Sequence, residues 1–192
     1  MKKSLVSVFF LAVLMAGTAL ALASGTSSSC PHGACFPPER EVGGQKLPLR
    51  GTGLLQYLKL DMYSGAFYAP EGVDTPAEAQ ADIPKSLILH YHRGIKVKWM
   101  NDAAERILKK NPEVDFPALQ ERLDRIAAAY EKVGKDDRYE LRYTPGTGTT
   151  LLLNDREIIT LPGEDFARAY MGIWLSETPA NKKFRDKLLG GE

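Results

Sequence analysis

The apolar residues of this chain change their spacing several times between Gln45 and Leu189, and that succession restricts the fold more than any single motif does. In Ser86 to Arg93, Leu87, Leu89 and Tyr91 fall on one face of an extended segment while Ile88, His90 and His92 fall on the other. Upstream, Gly43-Gly44 marks a hairpin between Glu41 and Leu47, and Leu54 to Ala69 alternates in part before Pro70 ends it, which predicts one or two long strands. The period then becomes helical. Trp99, Ala103, Ile107 and Leu108 share one face and Asn111-Pro112 stops that helix; Asp115 caps a second, whose inner face is Leu119, Leu123, Ile126, Ala127 and Tyr130. Tyr139 to Thr144, Thr149 to Leu153 and Glu157 to Leu161 read as three short strands joined by the turns Pro145 to Gly148 and Asn154-Asp155. Helical spacing returns with Phe166, Ala169, Tyr170, Ile173 and Trp174. A last helix is predicted with Thr178 as cap, Pro179 in its first turn, Phe184, Leu188 and Leu189 as its stripe and Gly190-Gly191 as its end. Strands and helices in this order, with links of hairpin length, predict an α+β domain whose helices cover one face of a large antiparallel sheet.

The 192 residues suffice for one domain with a tail, and 44% apolar against 26% charged residues is an ordinary globular balance. The net charge of +1 supplies no strong field for a nucleic acid or an anionic bilayer, so nucleic acid is excluded as a partner. Lys2 and Lys3 precede the apolar run Val8 to Ala16, and Ala21-Leu22-Ala23 gives the small-x-small pattern of a signal peptidase site. Residues 1–23 are therefore read as a cleaved signal peptide, 24–41 as a flexible leader rich in Ser, Pro and Gly, and 42–190 as the domain. Export places the chain in the periplasm or outside the cell, with no stable membrane span once the signal is removed.

Cys30 and Cys35 are the only cysteines, and an oxidising compartment makes a local disulfide closing a small loop their expected state. Their spacing fits neither haem attachment nor a thioredoxin-like site. Gly146-Thr147-Gly148-Thr149 lies between strands and reads as a turn, not a phosphate loop. His90 and His92 point the same way from one strand but have no third or fourth ligand in sequence reach, so no metal and no other cofactor is expected. The aromatic set is more informative. Tyr57, Tyr63, Phe67 and Tyr68 lie on the long strands and Trp99, Tyr170 and Trp174 on the helices predicted to cover them, an arrangement that makes a core or an apolar cleft with a few polar donors.

Gly51-Thr52-Gly53, Met62 to Pro70, Pro84 to Leu87, Tyr139 to Thr149 and Phe166 to Pro179 with Ile173-Trp174-Leu175, in that order, resemble the bacterial exported chalcone isomerase-like proteins across Val42 to Gly190. The resemblance implies the chalcone isomerase-like open-faced sandwich. It also implies an Arg shortly after Gly-x-Gly that stabilises the enolate of the isomerase reaction. Here Leu54, Leu55, Gln56 and Tyr57 follow Gly53, so that cation is absent; a Thr of the enzymes falls on Tyr63 and a small hydroxyl residue near Ile173. Members of the fold that bind fatty acids hold them through an Arg and a Tyr at the cleft mouth, for which Arg93 or Lys59 are the candidate substitutes.

Three functional readings follow. The first is a non-catalytic binder of a small apolar or amphipathic, fatty-acid-like ligand, with Leu55, Tyr63, Trp99, Ile173 and Trp174 in the cleft. The second is an intramolecular lyase of the chalcone isomerase type, using Tyr63. The third is an envelope interaction module with the disulfide-bearing leader as docking arm and an unspecified protein partner.

Overall fold

The computed structural model describes residues 30–191, so the predicted signal and its cleavage site lie outside the described residues. Seven strands form one antiparallel meander in sequence order: β1 (Glu39–Val42), β2 (Gln45–Tyr57), β3 (Leu60–Tyr68), β4 (Lys85–Tyr91), β5 (Arg138–Thr144), β6 (Gly148–Leu153) and β7 (Arg156–Leu161). A short helix α1 (Pro76–Ala79) joins β3 to β4, α2 (Val97–Lys110) and α3 (Phe116–Ala129) lie between β4 and β5, and α4 (Glu164–Leu175) and α5 (Lys182–Leu188) end the chain. The α+β reading holds, and each strand pairs with its sequence neighbour, through tight turns in four of the six pairs and through the helical insertions between β3 and β4 and between β4 and β5 in the other two.

Strand register explains why the helices gather on one face. Phe67, Leu87, Leu141, Leu151 and Ile159 are successive cross-strand partners, so alternation in five strands sums to one apolar row. Helices α2 to α5 cover this inner face. At its β2 end the inner face carries Gly51 and Gly53, with Gly65 beside Gly53 on β3. A Cβ on Gly51 would lie 2.1 Å from the Lys187 carbonyl oxygen, and one on Gly65 would lie 2.5 Å from the Phe184 ring. The Gly-x-Gly motif therefore exists so that α5 can lie directly on the sheet backbone. Phe184 and Leu188, predicted as its stripe, are both buried there.

The start of α5 differs from expectation. Thr178 does not cap it; Asn181 does, accepting the Phe184 amide at 2.9 Å. The Ala180 amide is tied back to the Ile173 carbonyl at 2.7 Å, which holds Thr178 to Ala180 in an irregular link off the end of α4. In contrast, Asp115 caps α3 as predicted, through Ala118, and Asn111 ends α2.

The expected flexible leader is a second correction from Cys30 onward. Phe36 is fully buried on the outer face of the sheet in a cluster with Ala34, Val42, Leu47, Ala66, Tyr68 and Ile88. The Pro37 carbonyl accepts the Tyr68 hydroxyl at 2.9 Å, the Cys35 carbonyl accepts from Arg138, and residues 39–42 are β1 itself. Composition conceals this because Ala34 and Phe36 are isolated apolar residues with no period, and only the concave outer face over β3 and β4 makes a place for them. Every residue of β4 is consequently buried, on both faces. Cys30 and Cys35 are joined by a disulfide at the edge of this plug.

Beside the plug the outer face is polar and internally paired. The Glu140 carboxylate accepts from Ser86, Arg142 and Arg40, and Arg40 also reaches Asp155. Burial alone would raise the Glu140 pKa, yet hydrogen bonds from Arg40 and Arg142 hold it below the ordinary carboxylate range. His90 Nδ1 accepts from Arg138 Nε at 3.1 Å and its Nε2 faces Asp136 at 3.4 Å, while His92 Nε2 is 2.8 Å from the Ser64 hydroxyl. Burial, then the Arg138 charge, pushes the His90 pKa down, in keeping with a neutral ring that accepts at Nδ1. Among the described residues no cluster of acidic, His or Cys side chains is placed to hold a metal ion.

Two predictions follow from the outer face. Phe36→Ala should cost about 3–5 kcal/mol, the usual range for emptying a buried Phe site. The double change Cys30→Ser, Cys35→Ser should cost only about 2 kcal/mol, as befits so short a loop. Denaturant titration of both variants checks the order. The second concerns acid. An unfolded imidazole takes up its proton near about pH 6.5 and an unfolded Glu near about pH 4.3. The folded His90 and Glu140 do so only at lower pH, so their stabilisation is complete above those values and is lost as pH falls below them. The melting temperature should decline from about pH 6.5 downward and again from about pH 4.3, and His90→Phe should flatten the upper decline.

Candidate binding cavity

Beyond the glycine patch, the next row of the inner face is Leu55, Tyr63 and Tyr91, cross-strand partners on β2, β3 and β4. Helices α4 and α5 touch this row at Tyr63, through Trp174 and Phe184. Helix α5 sits one row away with Phe184 5.6 Å from the Tyr63 ring, and α2 and α4 bridge the gap from above. The space enclosed is about 660 Å³. Its floor is Leu55, Tyr63, Leu89, Tyr91 and Tyr139; its roof is Met100, Ala103, Ala104 and Ile107 of α2 with Tyr170, Ile173 and Trp174 of α4; Thr178 to Asn181 edge it. Tyr57 and Trp99, both exposed, mark its mouth beside the β2–β3 hairpin, and Gln56, Arg106 and Lys110 also line it.

All five residues expected in a cleft, Leu55, Tyr63, Trp99, Ile173 and Trp174, stand on the wall of this one cavity. Arg93 and Lys59 do not. Arg93 donates to the Asp61 carbonyl at 2.9 Å, and Lys59 occupies the hairpin turn. The cations that do reach the wall are Arg106 and Lys110 on α2. Their signal was present in the sequence: they follow Ala103 and Ile107 by three residues each, and so flank the apolar stripe begun by Trp99.

Five phenols, Tyr63, Tyr91, Tyr130, Tyr139 and Tyr170, line the interior, and four of them are hydrogen-bonded. Trp174 Nε1 donates to the Tyr63 hydroxyl at 3.0 Å, and the Tyr170 hydroxyl donates to that of Tyr130 at 3.0 Å. Tyr139 donates to the Glu131 carbonyl and accepts the Glu131 amide. Burial pushes the Tyr63 pKa up to about 12 and raises those of Tyr91, Tyr130 and Tyr170 further, so at neutral pH each is an uncharged hydroxyl. Among the described residues no carboxylate, imidazole, thiol or serine lines the wall. The described wall offers apolar surface, neutral hydrogen-bonding groups and two cations.

An antiparallel meander whose inner face is roofed by helices around an apolar cavity defines an open-faced sandwich. The sequence profile of the chalcone isomerase-like family matches residues 30–190, and the chain belongs to that family. Among solved structures, an Arabidopsis thaliana fatty-acid binding protein superimposes with a TM-score of 0.65 at 19% identity, over 85% of this chain and 96% of the plant one. That likeness establishes the common fold. Comparison with curated protein sequences gives no match.

The Tyr63 hydroxyl is the acceptor of a half-buried indole, and its removal leaves that N–H unpaired. Tyr63→Phe should therefore destabilise the domain by about 1 kcal/mol and shift the emission of Trp174 to shorter wavelength. Fluorescence in a Trp99→Phe background, where Trp174 is the sole indole, checks both.

Proposed function

We propose that this chain is a non-catalytic carrier of a single-chain amphiphile of fatty-acid type, its tail in the cavity and its carboxylate at Arg106 and Lys110. The observation that carries the reading is the composition of the wall: a largely apolar interior of about 660 Å³ whose ionic groups, among the described residues, are the two cations Arg106 and Lys110. That volume falls within the range of small-molecule sites. The plant protein with the same fold is a fatty-acid binding protein, which agrees with this choice of ligand. Catalysis of the chalcone isomerase type lacks support from the residues. Leu55 stands on the wall after Gly-x-Gly in place of a cation, and Tyr63 is a neutral donor with no base beside it. The interaction-module reading loses its arm from Cys30 onward, because that segment is packed on the sheet. The same proposal places the carrier outside the cytoplasm, exported by residues 1–23.

Native mass spectrometry and lipid extraction of the protein from its own host should recover a bound fatty acid. In titrations, Arg106→Ala with Lys110→Ala should weaken palmitate by about tenfold, the loss of roughly 1.4 kcal/mol, and leave hexadecanol nearly unchanged. No bound lipid, with no binding of either probe, would overturn the reading, and chalcone turnover that vanished in Tyr63→Phe would replace it with the isomerase.

A further inference from the structure

The described residues expose four large apolar side chains, and they are not scattered. Tyr57, Leu58 and Leu60, exposed by 65%, 78% and 46%, form the tip of the β2–β3 hairpin, and Trp99, exposed by 61%, stands opposite on α2. Tyr57 and Trp99 both line the cavity mouth, so the tip and the first turn of α2 are its two lips. Burial does not account for them, and neither does turn chemistry. Leu58 and Lys59 hold φ of +50° and +64°, a turn in which Asn-Gly is favoured and a leucine is strained. An exposed, strained leucine at the rim of a cavity contributes nothing to folding.

The charge around these lips is one-sided. Lys59 lies between Leu58 and Leu60, Arg93 is bonded to the hairpin backbone at Asp61, the Lys96 ammonium is 5.3 Å from the Trp99 ring, and Arg106 and Lys110 line the cavity further along α2. None of these five forms an ion pair among the described residues. Lys98 is neutralised by Asp102 and Lys109 by Glu105; Asp61, held by Gln56, is the remaining acid on the tip. A net charge of +1 for the whole chain hides this local excess.

We propose that these lips are a docking surface for an anionic phospholipid bilayer. Tyr57 and Trp99 would sit at headgroup depth, Leu58 and Leu60 below it, and the five cations against lipid phosphates. The cavity mouth then faces the acyl chains, and an amphiphile passes between bilayer and cavity without crossing water. This last step rests on the carrier reading; the docking surface does not. A bilayer fits better than a second copy, because two such rims brought together would oppose like charges.

The test is flotation with vesicles of phosphatidylcholine containing 30 mol% phosphatidylglycerol, and with pure phosphatidylcholine, using the chain expressed with its own leader. The parent should float with the anionic vesicles about tenfold more than with the neutral ones and be released by 0.5 M salt, as screening requires. Leu58→Ser with Leu60→Ser, compared in the same chain so that any leader is common to both, should reduce flotation by about fivefold or more. Binding of a fluorescent fatty acid without vesicles should be unchanged in that variant, since neither leucine lines the cavity. Equal flotation of variant and parent, or none of either, would overturn the docking surface even if fatty acid still binds. So would a parent that elutes as a dimer, ignores vesicles and becomes monomeric in the variant. Flotation that follows the predicted pattern in a protein that binds no fatty acid would sustain the surface and sink the carrier.

Discussion

Everything distinctive about this domain depends on how closely α5 approaches the sheet. Three glycines on the inner face, Gly51, Gly53 and Gly65, leave bare backbone under Phe184 and Lys187, and the helix settles into it. A helix seated so deeply closes one end of the inner face. The neighbouring row, Leu55, Tyr63 and Tyr91, is touched by Trp174 and Phe184 at Tyr63 and otherwise borders the cavity, with α2 and α4 on its far side. In a sheet roofed by helices of ordinary standoff the space would be shared out as packing; here it is collected into one cavity.

Polar groups are divided between the faces with equal consequence. The outer face concentrates charge and pairs it, with Glu140 between Arg40 and Arg142 and with His90 between Arg138 and Asp136, so these groups stabilise the domain and are not available for chemistry. The inner face holds phenols whose protons are tightly kept, with Tyr170 donating to Tyr130 and Tyr63 accepting from Trp174. That wall offers shape and apolar surface, and among the described residues two cations without ion-pair partners, Arg106 and Lys110, stand on it with the exposed Tyr57 and Trp99.

Several elements were legible from residue spacing. The alternation of Leu87, Leu89 and Tyr91, the Asp115 cap and the turns at Gly43-Gly44 and Gly146 each depend on contacts within a few residues, which any short window contains. The aromatic and aliphatic wall residues were legible for a related reason: period tells which face of a strand or helix looks inward. What failed depended on distant partners. Thr178 is a good cap by local chemistry, but the Ala180 amide is taken by Ile173 and the helix starts at Asn181. Phe36 has no apolar neighbour in sequence and finds Tyr68 and Ile88 only in the folded sheet.

The sequence by itself therefore determined the class of fold, its element order, and the glycines and aromatics that the inner face would carry, because those follow from backbone propensity and side-chain period. The tertiary structure decided that the space above Tyr63 stays open, that Arg106 and Lys110 rather than Arg93 or Lys59 reach it, and that Tyr57, Leu58, Leu60 and Trp99 form one rim. These are distances between residues some forty positions apart on different elements, fixed by how deeply one helix sinks onto three glycines, and no local pattern encodes them.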